Sequence, residues 1–316
     1  MIGAVDIGGT KIAVGMVSDK GKVLSKMEAP TDAGYSEGLH RISAMLHDTA
    51  RIAGATITGI GIGSTGPVDP FTGKFGEVDF LPGWRHKCLV KDLMRVFKVK
   101  AALENDADAG ALAEAGWGAG RGKMRMIYIT VGTGIGGGIV LDGKLYRGAD
   151  GAHPELGHHV VDSSGPLCSC GARGCWEALA AGPAMVQWME GQASSHDGFT
   201  ARKICELAQR GDERAKNAVQ YEAHYLGVGL ANLVNLFTPD VIVLGGSVMK
   251  SAGLFLDEIR KTITSNCRFV PFEKTELVLA QLGEDSNLIG AARVWHHRFR
   301  QKTRSDKARK KAKGRR

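Results

Sequence analysis

Residues 2–17 read IGAVDIGGTKIAVGMV. An apolar run closes on Asp6, a Gly-Gly-Thr turn follows, and a second apolar run starts at Lys11. The pattern predicts strand, tight glycine turn, strand. A further turn at Asp19-Lys20-Gly21 leads to a third run from Val23, so the chain opens as a meander. Working outward, residues 37–53 place Leu39, Ile42, Met45, Leu46 and Ile52 at helical spacing. GIGIGSTGPV (59–68) reads as a buried strand entering a Gly-Pro turn. Residues 90–97 read as helix, VKAALEND (99–106) as a short strand ending in polar groups, and Ala107 to Gly116 as helix. Strands alternating with helices predict an α/β fold.

The opening has an echo. MRMIYITVGTGIGGGIVLDGKLYRG (124–148) is again strand, glycine turn, strand, with a hairpin at Asp142-Gly143. Residues 151–178 form a loop-rich segment, Arg214 to Leu236 a helix, and DVIVLGGSV (240–248) a strand ending in a glycine pair. The last helix, Ser286 to Arg300, is expected to pack back on the first half. The expected domains are therefore 1–120, completed by 286–300, and 121–285, carrying a loop at 155–177. Residues 301–316 are expected to be a disordered basic tail.

Charge supports that division. The chain has 41 Lys and Arg against 33 Asp and Glu, a formal net of +8. Nine of the basic residues and one acidic residue fall within 301–316. The rest carries equal numbers of each sign, so the net charge marks the tail and not a basic binding face. No run reaches the ~18 apolar residues that a membrane-spanning helix needs, and the N-terminus lacks the pattern of a secretory signal. A cytoplasmic location without a membrane span is the expectation.

Five motifs carry chemistry. In Asp6-Ile-Gly8-Gly9-Thr10-Lys11 the glycines let backbone N–H groups approach a polyanion, Thr10 and Lys11 add a hydroxyl and a cation, and Asp6 can hold Mg²⁺. Gly132-Thr133-Gly134-Ile-Gly136-Gly137-Gly138 is a second cradle of that kind. It has no Walker A lysine, and a strand is expected after it, so it is neither a P-loop nor a dinucleotide fingerprint. Asn105-Asp106 ends a strand and opens a helix. A carboxylate there either caps the helix or acts as general base toward an attacking hydroxyl. Cys168-Ser-Cys170-Gly-Ala-Arg-Gly-Cys175 follows His158 by ten residues, the closed Cys₃His donor set of a structural Zn²⁺. His153 and His159 are alternatives for the fourth ligand. Glu155, His158 and Glu177 flank this loop, and carboxylates there suit paired hydrogen bonds to sugar hydroxyls. Cys88, Cys205 and Cys267 are scattered and read as buried thiols.

Together these residues resemble the ROK family of repressors, open reading frames and sugar kinases, over Asp6 to about Arg293. The resemblance implies a two-domain, actin-like ATPase (ribonuclease H-like) fold with sugar and ATP in an inter-domain cleft. It implies a sugar kinase in which Asp106 is the base and Gly66, Asn105, Asp106, Glu155, His158 and Glu177 bind the hexose. DIGGTK and GTGIGGG correspond to the two phosphate loops, with Asp6 on the magnesium. NLFTPDVIVLGG matches the adenosine-side segment, which implicates Gly245 and Gly246. His158 would touch the sugar and also join Cys168, Cys170 and Cys175 on zinc. A homodimer or homotetramer is implied. Family glucokinases carry Pro-Asn-Leu-Pro-Gly-Trp where this chain has Asp79-Phe80-Leu-Pro-Gly-Trp84. Glucose is the expected substrate, with N-acetylmannosamine, N-acetylglucosamine and fructose as alternatives. Family repressors carry a helix-turn-helix ahead of the first loop. That loop starts here at residue 6, so no specific DNA binding is expected, and a non-catalytic sugar-responsive regulator is the lesser reading. Polyphosphate is the alternative donor to ATP.

Overall fold

The computed structural model describes residues 1–191 and 198–300; the expected basic tail lies outside the described residues. In chain order the strands and helices of the first part are β1 (Ile2–Ile7), β2 (Lys11–Val17), β3 (Val23–Pro30), α1 (Tyr35–Ile52), β4 (Gly59–Ser64), β5 (Val68–Asp69), β6 (Lys74–Phe75), α2 (Leu89–Phe97), β7 (Ala101–Asn105) and α3 (Asp106–Trp117). The second part has β8 (Met126–Val131), β9 (Ile135–Leu141), β10 (Lys144–Leu145), α4 (Trp176–Ala180), α5 (Gly182–Gly191), α6 (Ala201–Gln209), α7 (Glu213–Phe237), β11 (Val241–Gly245), α8 (Leu256–Asn266), β12 (Glu276–Leu279) and α9 (Ser286–Arg300). No described helix is long and apolar enough to cross a membrane.

The chain divides into two compact units. Among the described residues, the first holds Met1–Ala113, Ala149–Ala152 and Leu282 to Arg300; the second holds Glu114–Gly148 and the rest of His153–Gln281. The division falls inside α3 rather than near residue 120. Beyond it, the Glu114 carboxylate accepts the N–H groups of Ala119 and Gln281, both in the second unit.

The first unit is built on a sheet of order β3-β2-β1-β4-β7. β1 to β3 form the antiparallel meander, and β4 and β7 run parallel to β1. Period-2 alternation sorts the side chains by face. Val5, Ile7, Ile60 and Ile62 pack with Ile42 and Leu46 of α1 and with Trp84. Ile2 and Ala4 face Leu288, Ala291, Ala292 and Trp295 of α9. The glycines of β4 explain how α9 lies so close. A Cβ on Gly61 would stand 1.9 Å from the Ala291 carbonyl oxygen, and one on Gly59 2.2 Å from Trp295 Nε1. The tryptophan N–H donates to the Lys100 carbonyl at 3.0 Å. On the opposite face Gly38 of α1 leaves room for Trp84, which donates to the Asp32 carbonyl at 3.0 Å and meets Tyr35 and Phe75 edge-on.

The second unit repeats the plan: its sheet has order β10-β9-β8-β11-β12, with β8 to β10 antiparallel and β11 and β12 parallel to β8. The internal echo in the sequence is thus an echo of topology. The buried face of the 25-residue α7 joins one core with β8, β9 and β11, and the helix is capped at its start by Asp212, whose Oδ1 accepts the Ala215 N–H. Cys205 and Cys267 are buried, whereas Cys88 is half-buried.

Candidate active site and metal centre

In the first unit the parallel strands β1, β4 and β7 lie side by side, and their C-terminal edge gathers the polar groups, as expected of ligand sites in open α/β sheets. Register sets Asp6 beside Gly63, and Ser64 beside Asn105. Asp106 is near enough for its charge to oppose the ionisation of Asp6. Burial first, then the Asp106 charge, raises the Asp6 carboxyl to about 7, against a side-chain hydrogen bond from Asn287 and the charge of Lys11. A buried carboxylate beside a second acid suits Asp6 to a divalent metal, whose charge would favour the ionised form.

Asn105 takes the N-cap position of α3: its Oδ1 accepts the Ala107 N–H at 2.8 Å and the Asp108 N–H at 3.4 Å. Asp106 shares the role, its Oδ1 accepting the same Ala107 N–H. The Asn105 amide nitrogen faces Gly66, 3.1 Å from where a Cβ would stand. The first glycine turn is held by the Gly8 N–H on the Lys11 carbonyl and by Thr31, whose hydroxyl donates to the Gly8 carbonyl and whose N–H donates to the Thr10 carbonyl. Gly9 and Thr10 are exposed, and the Lys11 ammonium pairs with Glu28 at 3.1 Å. Phe80 is 75 % exposed and packs its Cβ 3.1 Å from the Gly9 Cβ position. Asp79 pairs with Arg85 at 2.9 Å.

In the second unit the equivalent edge carries the other glycine loop. Gly132, Thr133 and Gly134 form the turn, with the Gly132 N–H on the Gly134 carbonyl. Gly136 and Gly137 lie inside β9, paired with Thr130 and Ile129, and Gly137 gives way to Leu156. Gly245 ends β11, while Gly246 has a φ of +93° and would set a Cβ 2.2 Å from the Val131 carbonyl oxygen. Beside them opens a cavity of about 420 Å³ lined by Gly132, Thr133, Gly182, Gln187, Ser247 and Val248, with Pro183, Val186 and Ala201 completing the wall. Sequence reading missed the helical part of this wall, because α5 and α6 carry no motif.

The metal donors converge. One ligand atom from each of His158, Cys168, Cys170 and Cys175 lies within 4.8 Å of the others. His158 Nδ1 stands 3.6 Å from Cys168 Sγ, and Cys170 Sγ stands 3.5 Å from Cys175 Sγ. These approach the edge of a tetrahedron with metal–sulfur bonds of about 2.3 Å. The set fits a closed zinc site. Burial pushes the Cys175 thiol up to about 12, and a bound divalent cation inverts that preference. Of the three candidate histidines only His158 belongs to the set. His159 bonds the Leu156 carbonyl through Nδ1 at 2.7 Å and lies against Trp176. Gly174, at a φ of +69°, allows the turn; a Cβ there would lie 1.5 Å from the Asp162 carbonyl oxygen. The loop is anchored to α7. Trp176 donates to the Tyr225 carbonyl at 2.9 Å across a ring-sized space left by Gly229, and the Tyr225 hydroxyl meets Asp162 at 3.1 Å.

Glu155 is exposed at the rim of this loop, whereas Glu177 is half-buried, its Oε2 accepting the Ile135 N–H at 2.9 Å. With this geometry in view, comparison with known families is decisive: the model described as "ROK family" matches residues 2–298. The chain belongs to the ROK family. This ROK protein is 35% identical over 310 residues to the glucokinase of Streptomyces coelicolor, covering 91% of this chain and 95% of the relative. The crystal structure of a ROK family glucokinase from Streptomyces griseus in complex with glucose and AMPPNP is 35% identical, with a TM-score of 0.77 over 92% of this chain and 97% of that one. A xylose repressor of Bacillus spizizenii is 34% identical over 240 residues, 75% of this chain but 61% of the repressor. The fold is the two-domain actin-like ATPase fold of ROK sugar kinases.

Proposed function

We propose that this ROK sugar kinase transfers the γ-phosphate of ATP to the 6-hydroxyl of glucose. The observation that carries the reading is the pair Asp6 and Asp106 on one sheet edge, with Asn105 capping α3 between Asp106 and Gly66. Phosphoryl transfer asks for positioning and charge neutralisation more than for covalent chemistry. Asp106 accepts the proton of the attacking hydroxyl, and Asn105, through its amide, and Gly66 hold the sugar beside it. Gly8, Gly9, Thr10 and Lys11 offer donors to the phosphates, as do Gly132, Thr133 and Gly134. Asp6 would hold magnesium, which when bound neutralises the phosphate charge.

The purine side of ATP fits the cavity bounded by Gln187, Ser247 and Val248, next to Gly245 and Gly246. Glu155, His158 and Glu177 complete the sugar set. With Nδ1 in the donor cluster, His158 keeps Nε2 for a sugar hydroxyl. Zinc held by His158, Cys168, Cys170 and Cys175 is structural, since four protein donors leave no open position. The names of the aligned relatives favour glucose over N-acetylated hexoses.

The test is ADP release with Mg-ATP over glucose, mannose, fructose, N-acetylglucosamine and N-acetylmannosamine, with polyphosphate as a second donor. Fastest turnover on glucose with ATP is expected. Preference for an N-acetylated sugar would overturn the substrate, and silence on all of them would overturn the activity.

A further inference from the structure

The metal loop and the second glycine loop meet at one residue, Ile135. Glu177, two residues past the last cysteine, accepts the Ile135 N–H at 2.9 Å. Gly134 makes that approach feasible, because a Cβ there would stand 2.3 Å from the same Glu177 oxygen. The other arm of the metal loop touches the next peptide of the same residue: a Cβ on Gly157, next to His158, would stand 2.1 Å from the Ile135 carbonyl oxygen. The two arms are tied to each other by the bridge between Val160 and Cys175, made by the Trp176 N–H on the His159 carbonyl and the Val161 N–H on the Gly174 carbonyl. A separate tie closes the turn, the Gly182 N–H on the Gly132 carbonyl at 2.9 Å, just past α4.

We propose that Glu177 is a positioning residue for the nucleotide phosphates: its carboxylate fixes the 132–134 turn and couples that turn to the Cys₃His loop. This goes beyond a role as sugar ligand and rests on the reading of 132–134 as a phosphate loop. A glycine turn left to itself samples many conformations, and ordering it at the moment of binding weakens affinity. A charge-assisted bond held beforehand removes that cost. The Cys₃His loop then serves the nucleotide side of the enzyme as well as the sugar side.

The experiment measures MgADP affinity by calorimetry without sugar, and amide exchange at Ile135, in the zinc-replete full chain. Wild type is compared with Glu177→Ala, Glu177→Gln, Gly134→Ala and the Gly134→Ala/Glu177→Ala double variant. Loss of a charge-assisted bond predicts ten- to hundredfold weaker MgADP binding and faster Ile135 exchange for Glu177→Ala. Gly134→Ala should do the same, since its methyl group displaces the carboxylate. Glu177→Gln, which keeps an acceptor, should stay within about threefold, and the double variant should lose no more than either single one. In kinetics, KM for ATP should rise more than KM for glucose.

Unchanged MgADP affinity in Glu177→Ala and Gly134→Ala, with only sugar affinity reduced, would overturn the proposal. So would an unchanged Ile135 exchange rate. If Glu177→Ala does not fold, Gly134→Ala and Glu177→Gln carry the same test. Should wild type bind no MgADP, the kinase reading falls while Ile135 exchange still judges the coupling.

Discussion

Asp6→Asn should separate stability from activity. The Asp6 carboxyl is lifted from its ordinary 3.8 to about 7, chiefly by burial and then by the charge of Asp106. A raised carboxyl pKa means the folded state holds the proton more tightly than the unfolded one. Its contribution to stability is therefore full below about pH 4 and is lost as pH climbs through the folded value. Between pH 5 and pH 8, with each unit of pKa difference worth about 1.4 kcal/mol, the loss from this group is about 2–3 kcal/mol. Asparagine has no proton to lose and escapes the decline.

Urea unfolding of the nucleotide-free protein in magnesium-free buffer, followed by fluorescence and circular dichroism, should show the effect. The stability of Asp6→Asn relative to wild type should grow by about 2–3 kcal/mol from pH 5 to pH 8. Taking the difference cancels other titrating groups, Glu222 among them. Asp106→Asn alone should make the wild-type slope shallower, because it removes the second cause while burial, the first, remains. With Mg-ATP the order reverses, and the Asp6 variant should show the higher KM for nucleotide. A difference that stays flat from pH 5 to pH 8 would refute the argument that Asp6 is desolvated beside a like charge.

Asp106→Asn should cut kcat by roughly 10²–10⁴-fold while glucose still binds, as measured by steady-state kinetics and calorimetry; near-normal turnover would remove Asp106 as base. Gly61→Ala drives a methyl group to 1.9 Å from the Ala291 carbonyl oxygen. It should destabilise the first unit by at least about 2 kcal/mol in denaturant titration, whereas Gly253→Ala, with no heavy atom within 4 Å, should be near neutral. Chelation of zinc should lower the melting temperature and raise amide exchange over residues 156–177, with recovery on adding zinc back; metal-free protein of unchanged stability would exclude a structural ion. Glu222 is fully buried on α7, with neither carboxylate oxygen hydrogen-bonded among the described residues, and burial raises it to about 8. Glu222→Met should stabilise the second unit by about 1–3 kcal/mol, more at pH 9 than at pH 5; denaturant titration at both pH values tests this.

Much of the fold was legible because strands, turns and amphipathic helices are local statements. The apolar runs within 2–17 and 124–148 and the glycine turns between them foretold two similar half-structures. The last helix, expected over Ser286 to Arg300, is α9. The metal centre was legible because C-x-C-x₄-C places three thiols within one tight loop whatever surrounds it. The tertiary structure decided what depends on residues far apart in the chain. It chose His158 over His153 and His159, because only the fold brings one imidazole to the thiols. It assigned Gly59, Gly61 and Gly137 to close packing, where sequence reads only a glycine-rich run. It gave the N-cap position to Asn105 and left Asp106 beside Asp6, 100 positions away, because strand order rather than sequence order sets their distance. It set the carboxylate of Glu177 on Ile135, 42 residues back, a bond that no local pattern encodes because it forms only when the metal loop folds onto β9.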